Sequence, residues 1–148
     1  MLDEAGLVRW GERIGRTVQA PAFFALRGEL GAGKSVLARS IARGAGVTGP
    51  IPSPTFNLVY RYQARHGVSF VHLDLFRLQS VNEVWELGWS ELGEGRAIVA
   101  LEWPERVEQL LPSDRWEIRL DFTIRPDLRD IAVRRMGTAP DIPGPDVD

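Results

Sequence analysis

Residues 28–35, GELGAGKS, constrain this chain more than any other segment. They sit between a short continuous apolar run, AFFAL at 22–26, and an amphipathic run, Ser35–Arg43, that carries Val36, Leu37 and Ile41 on one face. An unbroken apolar run of this length is the pattern of a strand covered on both faces, as in a parallel sheet. The second run has helical spacing and stops at Gly44 or Gly46. Strand, glycine loop and helix in immediate succession leave few architectures open.

The spacing Gly28-x-x-x-x-Gly33-Lys34-Ser35 completes a Walker A pattern. Inward-pointing backbone N–H groups of such a loop bond a polyphosphate, and glycines let the backbone approach without a Cβ in the way. The helix that follows offers its free N–H groups and positive dipole end to the same anion. Lys34 is the only lysine among 18 basic side chains. It is placed to reach β- and γ-phosphates as a compact point charge, where the larger planar fork of arginine does not substitute. Ser35 supplies a hydroxyl oxygen for Mg²⁺. The four fixed positions coincide by chance in roughly one chain of this length in a hundred or fewer.

A phosphate loop does not hydrolyse by itself: the metal needs a second protein contact and the water needs positioning. Glu102 ends a second apolar run, AIVAL at 97–101, and suits the metal contact. Asp74 lies within VHLDL on the face shared by Phe70, His72 and Phe76, where an acid is costly unless paired or metal-bound. His72, taken alone, reads as a packed and hydrogen-bonded histidine. Ser53 and Thr55 stand where a stiff loop (GVTGPIPSP, 46–54) meets a strand, within reach of metal or γ-phosphate. Trp103 follows Glu102, over the site or on a partner surface.

The rest of the chain supports one domain over 1–137. Residues 3–19 read as an amphipathic helix with Leu7, Trp10, Ile14 and Val18 on one face. FNLVYRY and VSFVHLDLF read as a hairpin around ARHG. Ser80–Glu83 is a capping-box start for a helix to Leu87, and Pro104 opens another through Leu111. WEIRLDFTI and DIAVRR form a C-terminal hairpin about Pro126-Asp127. Residues 138–148, with three prolines and little apolar bulk, read as a disordered tail. The chain has no cysteine, no apolar run near the length of a membrane span, and an acidic start unlike a signal peptide. The expectation is a cytoplasmic protein with no membrane partner. A net charge of −2 argues against a general grip on nucleic acid.

With GELGAGKS, SPTFNLVYRY, HLDLFRL and LEWPE in this order, residues 6–135 resemble the TsaE family, the P-loop ATPases of bacterial tRNA threonylcarbamoyladenosine synthesis. The last three segments make the resemblance specific. It implies an α/β fold: a P-loop NTPase-type three-layer sandwich with a mixed, partly antiparallel central sheet. It implies binding of ATP with Mg²⁺, with ADP as product. It also implies association with TsaB and TsaD in modifying adenosine 37 of tRNAs reading codons that begin with A, tRNA being met only through that complex. Carried over by position, Lys34, Asp74 and Glu102 are catalytic. Glu29, Gly31, Ala32, Gly33, Lys34, Ser35, Val36, Thr55, Trp103 and Arg129 hold nucleotide. Ser35, Glu102, Asp74 and Thr55 serve the metal. Ser35 replaces the common threonine, Phe76 the usual tyrosine, and the first helix lacks the family's threonine.

The residues alone leave a small-molecule kinase and a non-hydrolysing switch open. The region a kinase would use as a lid, 78–96, reads as helical and acidic, and the pair Asp74 and Glu102 disfavours the switch. No arginine finger is evident in the sequence. Activity is therefore expected to be weak without partners.

Overall fold

A computed structural model of the protein describes residues 1–51, 58–92 and 95–145. Helix α1 (Glu4–Thr17) begins where the Asp3 carboxylate accepts the Gly6 N–H at 2.8 Å, and buries Leu7, Trp10 and Ile14. Strand β1 (Ala22–Arg27) is covered on both faces as its apolar run predicts, and α2 (Lys34–Gly44) follows the glycine loop. Strands β2 (Val59–Gln63) and β3 (Ser69–Asp74) flank a tight turn at 65–67. A short helix α3 (Asn82–Glu86), strand β4 (Ala97–Glu102), and the hairpin β5 (Arg115–Phe122) with β6 (Arg129–Met136) complete the chain.

The six strands form one sheet in the order β2-β3-β4-β1-β5-β6. The inner four run parallel, and the two edge strands pair antiparallel through the two expected hairpins. Alternate β1 side chains face opposite layers: Phe24 and Leu26 join α1 and α2, while Phe23 and Ala25 join Val84, Leu92 and Val107 on the other side. The α/β three-layer arrangement with a mixed sheet is therefore present. Helices α1 and α2 cross at glycines. A Cβ on Gly15 would run into the Ile41 carbonyl oxygen, and one on Gly44 into that of Glu12.

Three expectations change. The helix predicted from Pro104 is instead a 3₁₀ stretch, Pro104–Leu110, broken at Val107 (φ −137°, ψ 34°). The helix predicted to Leu87 is only five residues long, although Glu83 does accept the Ser80 N–H at 3.1 Å as a capping box requires. The tail expected to be disordered is packed over 139–143. Ala139 is buried, Trp116 Nε1 donates to the Pro140 carbonyl at 2.6 Å, and Trp10 Nε1 donates to that of Pro143 at 2.8 Å. Two indole N–H groups withdrawn from water at the edge of the core need acceptors, and proline carbonyls supply them.

Candidate nucleotide and metal site

The site lies at the carboxyl ends of the inner strands, where β1, β3 and β4 stop together. Ligand sites of open α/β sheets form at this edge. The turn between β1 and α2 needs Gly33 at φ +113°, a conformation side chains rarely adopt. Parallel pairing of β3 with β4 sets Asp74 opposite Glu102 and His72 opposite Ala100. The two acids, 28 positions apart in sequence, thereby become neighbours on adjacent strands.

Ser35, at the start of α2, donates its hydroxyl toward Glu102, and Oγ stands 2.9 Å from each carboxylate oxygen. Glu102 is buried, and its Oε2 lies 2.6 Å from His72 Nε2. Asp74 is half-buried and accepts the Phe76 N–H at 3.0 Å. Burial, and then the Glu102 charge, raise the Asp74 carboxyl above its ordinary range, against the Phe76 N–H, His72 and Lys34.

Lys34 is buried, and its ammonium donates to the Gly28 carbonyl and, at 3.5 Å, to that of Glu29. The Trp103 ring centroid is 3.5 Å from Nζ. Burial lowers the ammonium's pKa, opposed by the charges of Glu102, Glu105 and Asp74. Trp103 adopts a left-handed backbone (φ 63°, ψ 51°), which costs a non-glycine residue about 1–2 kcal/mol. Its indole stacks at a tilt with Phe76, centroids 5.0 Å apart.

Gly31, Gly33, Lys34, Ser35, Val36, Asp74, Glu102 and Trp103 line one cleft of 220 Å³, together with Leu30 and Phe76. Ala32 is buried beneath the loop, and Glu29 is exposed and contributes its carbonyl. Arg129 is not in this cleft. Its Nε donates to the Ala32 carbonyl at 3.1 Å, bracing the glycine loop from the far side. There a second cleft of 480 Å³ runs along the loop between the start of α1 and Pro126-Asp127. Ser53 and Thr55 lie outside the described residues. Sequence reasoning missed the His72–Glu102 contact, the stacking of Phe76, and the loop-bracing role of Arg129. Only His72 carried a signal, as a polar residue in an apolar strand two positions before Asp74.

A hydroxyl and two carboxylates are hard oxygen donors, and Mg²⁺ takes one or two carboxylates together with phosphate oxygens and water. Among the described residues no group of three His, Cys, Asp or Glu side chains is placed to hold a metal by itself. The set present at Ser35, Glu102 and Asp74 thus fits a cation shared with a polyphosphate. Among the described residues no helix is long and apolar enough to cross a membrane.

A family model, "Threonylcarbamoyl adenosine biosynthesis protein TsaE", matches residues 1–129. The tRNA threonylcarbamoyladenosine biosynthesis protein TsaE of Treponema pallidum is 33% identical over 124 residues, 84% of this chain and 84% of that protein. The protein of the same name from Streptomyces coelicolor is 30% identical over 132 residues, covering 86% and 88%. Among solved structures, Bacillus subtilis YdiB shares the fold with a TM-score of 0.75 at 22% identity, over 93% of this chain and 83% of that one.

Proposed function

The chain belongs to the TsaE family of threonylcarbamoyl adenosine biosynthesis proteins, and on that premise we propose that it binds and hydrolyses ATP with Mg²⁺ in the service of that tRNA modification. Its hydrolysis cycle serves a TsaB–TsaD complex, which meets the tRNA. The observation that carries this reading is the Ser35–Glu102 pair, 2.9 Å apart at the mouth of a glycine loop that also holds the chain's one lysine.

Each side chain has a task in this reading. The loop's backbone amides and the first turn of α2 bond the phosphates. The Lys34 ammonium leaves the Gly28 carbonyl and the Trp103 ring to neutralise charge on the β and γ groups. Ser35 and Glu102 hold the Mg²⁺, which when bound neutralises charge developing on the phosphate oxygens. Asp74 orients the attacking water and takes its proton, a task suited to a carboxyl held above its ordinary range. Arg129 keeps the Ala32 carbonyl, and so the loop, in place.

Titration calorimetry at millimolar ATP and Mg²⁺, followed by turnover with and without TsaB–TsaD, tests the proposal. Expected are nucleotide heat from the isolated chain, slow turnover alone, and faster turnover with the partners. Lys34→Ala should remove the binding heat. No heat from well-folded wild-type protein overturns the reading, and turnover alone as fast as in the complex overturns the partner dependence.

A further inference from the structure

His72 has no part in the chemistry above, yet it is fully buried at the centre of the site's sheet edge. It sits on β3 between Val71 and Leu73, with Tyr60 of β2 on one side and the small Ala100 of β4 on the other. The buried place there suits an apolar side chain, as at Phe70 on the same face of β3. An imidazole in such a place costs free energy unless its polar atoms are bonded. Among the described residues Nδ1 has no partner, so the ring's single polar contact is Nε2 on Glu102 Oε2 at 2.6 Å.

That contact does something Ser35 does not. The Ser35 hydroxyl stands at the same distance, 2.9 Å, from both oxygens of Glu102 and so leaves them equivalent. His72 touches Oε2 alone. It fixes the plane of a carboxylate carried on a long, rotatable side chain and leaves Oε1 free of the ring.

We propose that His72 is a positioning residue, which pins Glu102 Oε2 so that Oε1 and the Ser35 hydroxyl form a preset pair for the divalent cation. The inference rests on the reading that Ser35 and Glu102 hold Mg²⁺. Hydrogen-bond partners of metal-holding side chains set ligand orientation, and losing one typically costs about ten- to a hundredfold in metal affinity.

The test uses the full chain and ADP, so it does not depend on turnover. His72→Leu keeps most of the volume and removes the donor, whereas His72→Gln replaces it with an amide N–H of similar reach. Calorimetry measures ADP affinity with and without Mg²⁺, and thermal melting confirms folding. In His72→Leu the Mg²⁺ concentration needed for tight ADP binding should rise about ten- to a hundredfold, while metal-free ADP binding stays as in the wild type. His72→Gln should recover most of the loss. If His72→Leu does not fold, His72→Asn, whose amide falls short of Glu102, is read in its place. An unchanged Mg²⁺ response in the donor-free variant overturns the inference, as does a folded His72→Gln that fails as badly. If wild-type protein binds ADP but shows no Mg²⁺ effect, the metal reading falls and the inference falls with it. If wild-type protein binds no nucleotide at all, the whole functional reading falls first.

Discussion

The indole of Trp103 presents its face to the Lys34 ammonium, 3.5 Å from centroid to Nζ. The cation assigned to phosphate thus has an aromatic partner at the end of β4, one residue past Glu102. Such contacts are worth about 0.5–2 kcal/mol, small beside the charge of a polyphosphate. In the proposed reading the ammonium therefore gives up the ring when phosphate arrives.

Trp103 emission should then report nucleotide. Adding Mg²⁺ and ADP to the wild-type protein is expected to shift or quench tryptophan fluorescence. In Trp103→Phe the change should vanish, although the other tryptophans remain. A nucleotide-dependent signal of full size in that variant would contradict the assignment.

Asp74 is held above its ordinary value near 3.8, chiefly by burial. A carboxyl raised in the folded state binds its proton more tightly there than in the unfolded chain. Its favourable contribution is complete below the ordinary value and is lost as pH rises through the folded one. Ionised Asp74 therefore destabilises the protein at neutral pH. Asp74→Asn should raise stability by on the order of 1 kcal/mol at pH 7 while abolishing turnover, as substitutions that relieve a strained site do. The gain should shrink as pH falls toward the ordinary carboxylate value. Denaturant melts across pH, paired with ATPase assays, check both halves.

Arg27, the residue before the glycine loop, ties three segments together. It bonds Glu117 of β5, pairs with Glu108 at 2.8 Å, and lies 3.8 Å from Glu105. Burial works to raise the Glu117 carboxyl, but hydrogen bonds from Arg27 and Arg115 prevail and hold it below its ordinary value of 4.5. Arg27→Met should cost about 2 kcal/mol, because a part-buried carboxylate loses a charged partner. A depressed carboxyl contributes its stability above the unfolded value and loses it as pH falls through the folded one. The penalty of Arg27→Met should therefore fade below about pH 4. A penalty unchanged at low pH would mean that packing, not charge, holds the contact.

The packed tail gives a stability prediction without reference to the site. Ending the chain after Thr138 removes the acceptors of Trp10 and Trp116 and uncovers the place of Ala139. Unsatisfied indole N–H groups and lost apolar contact should cost about 1–3 kcal/mol. Urea unfolding of the shortened chain reads this directly. An unchanged midpoint would show that the tail contributes nothing.

Much of this protein is written locally in its residues. The apolar runs 22–26 and 97–101, the spacing from Gly28 to Ser35, and the turn residues between alternating segments sufficed to place six strands and two main helices within a few residues. Each of these signals concerns neighbours in the chain: a burial period, a required φ, a missing Cβ. The weaker helices were misjudged for the same reason. The segment from Pro104 has a helical start signal, but a 3₁₀ path follows it, breaking at Val107, which packs beneath the sheet. The proline-rich tail looks uncommitted until Trp10 and Trp116 are seen to need its carbonyls.

The identities of Lys34, Ser35, Asp74 and Glu102 were legible, since each is a costly or constrained residue where it stands. Their mutual arrangement was not. The Ser35–Glu102 contact spans 67 residues, His72–Glu102 spans 30, and Arg129–Ala32 spans 97. Strand order and register decide such contacts, and these follow from how the whole set of apolar faces packs together rather than from any one segment. The sequence by itself determined that a glycine loop of Walker A spacing stands between a buried strand and a helix, and which polar side chains stand out in apolar surroundings. Only the tertiary structure decided which carboxylate oxygen of Glu102 faces the histidine, which ring covers the lysine and which arginine braces the loop. Those are distances between elements, and local periodicity holds no information about them.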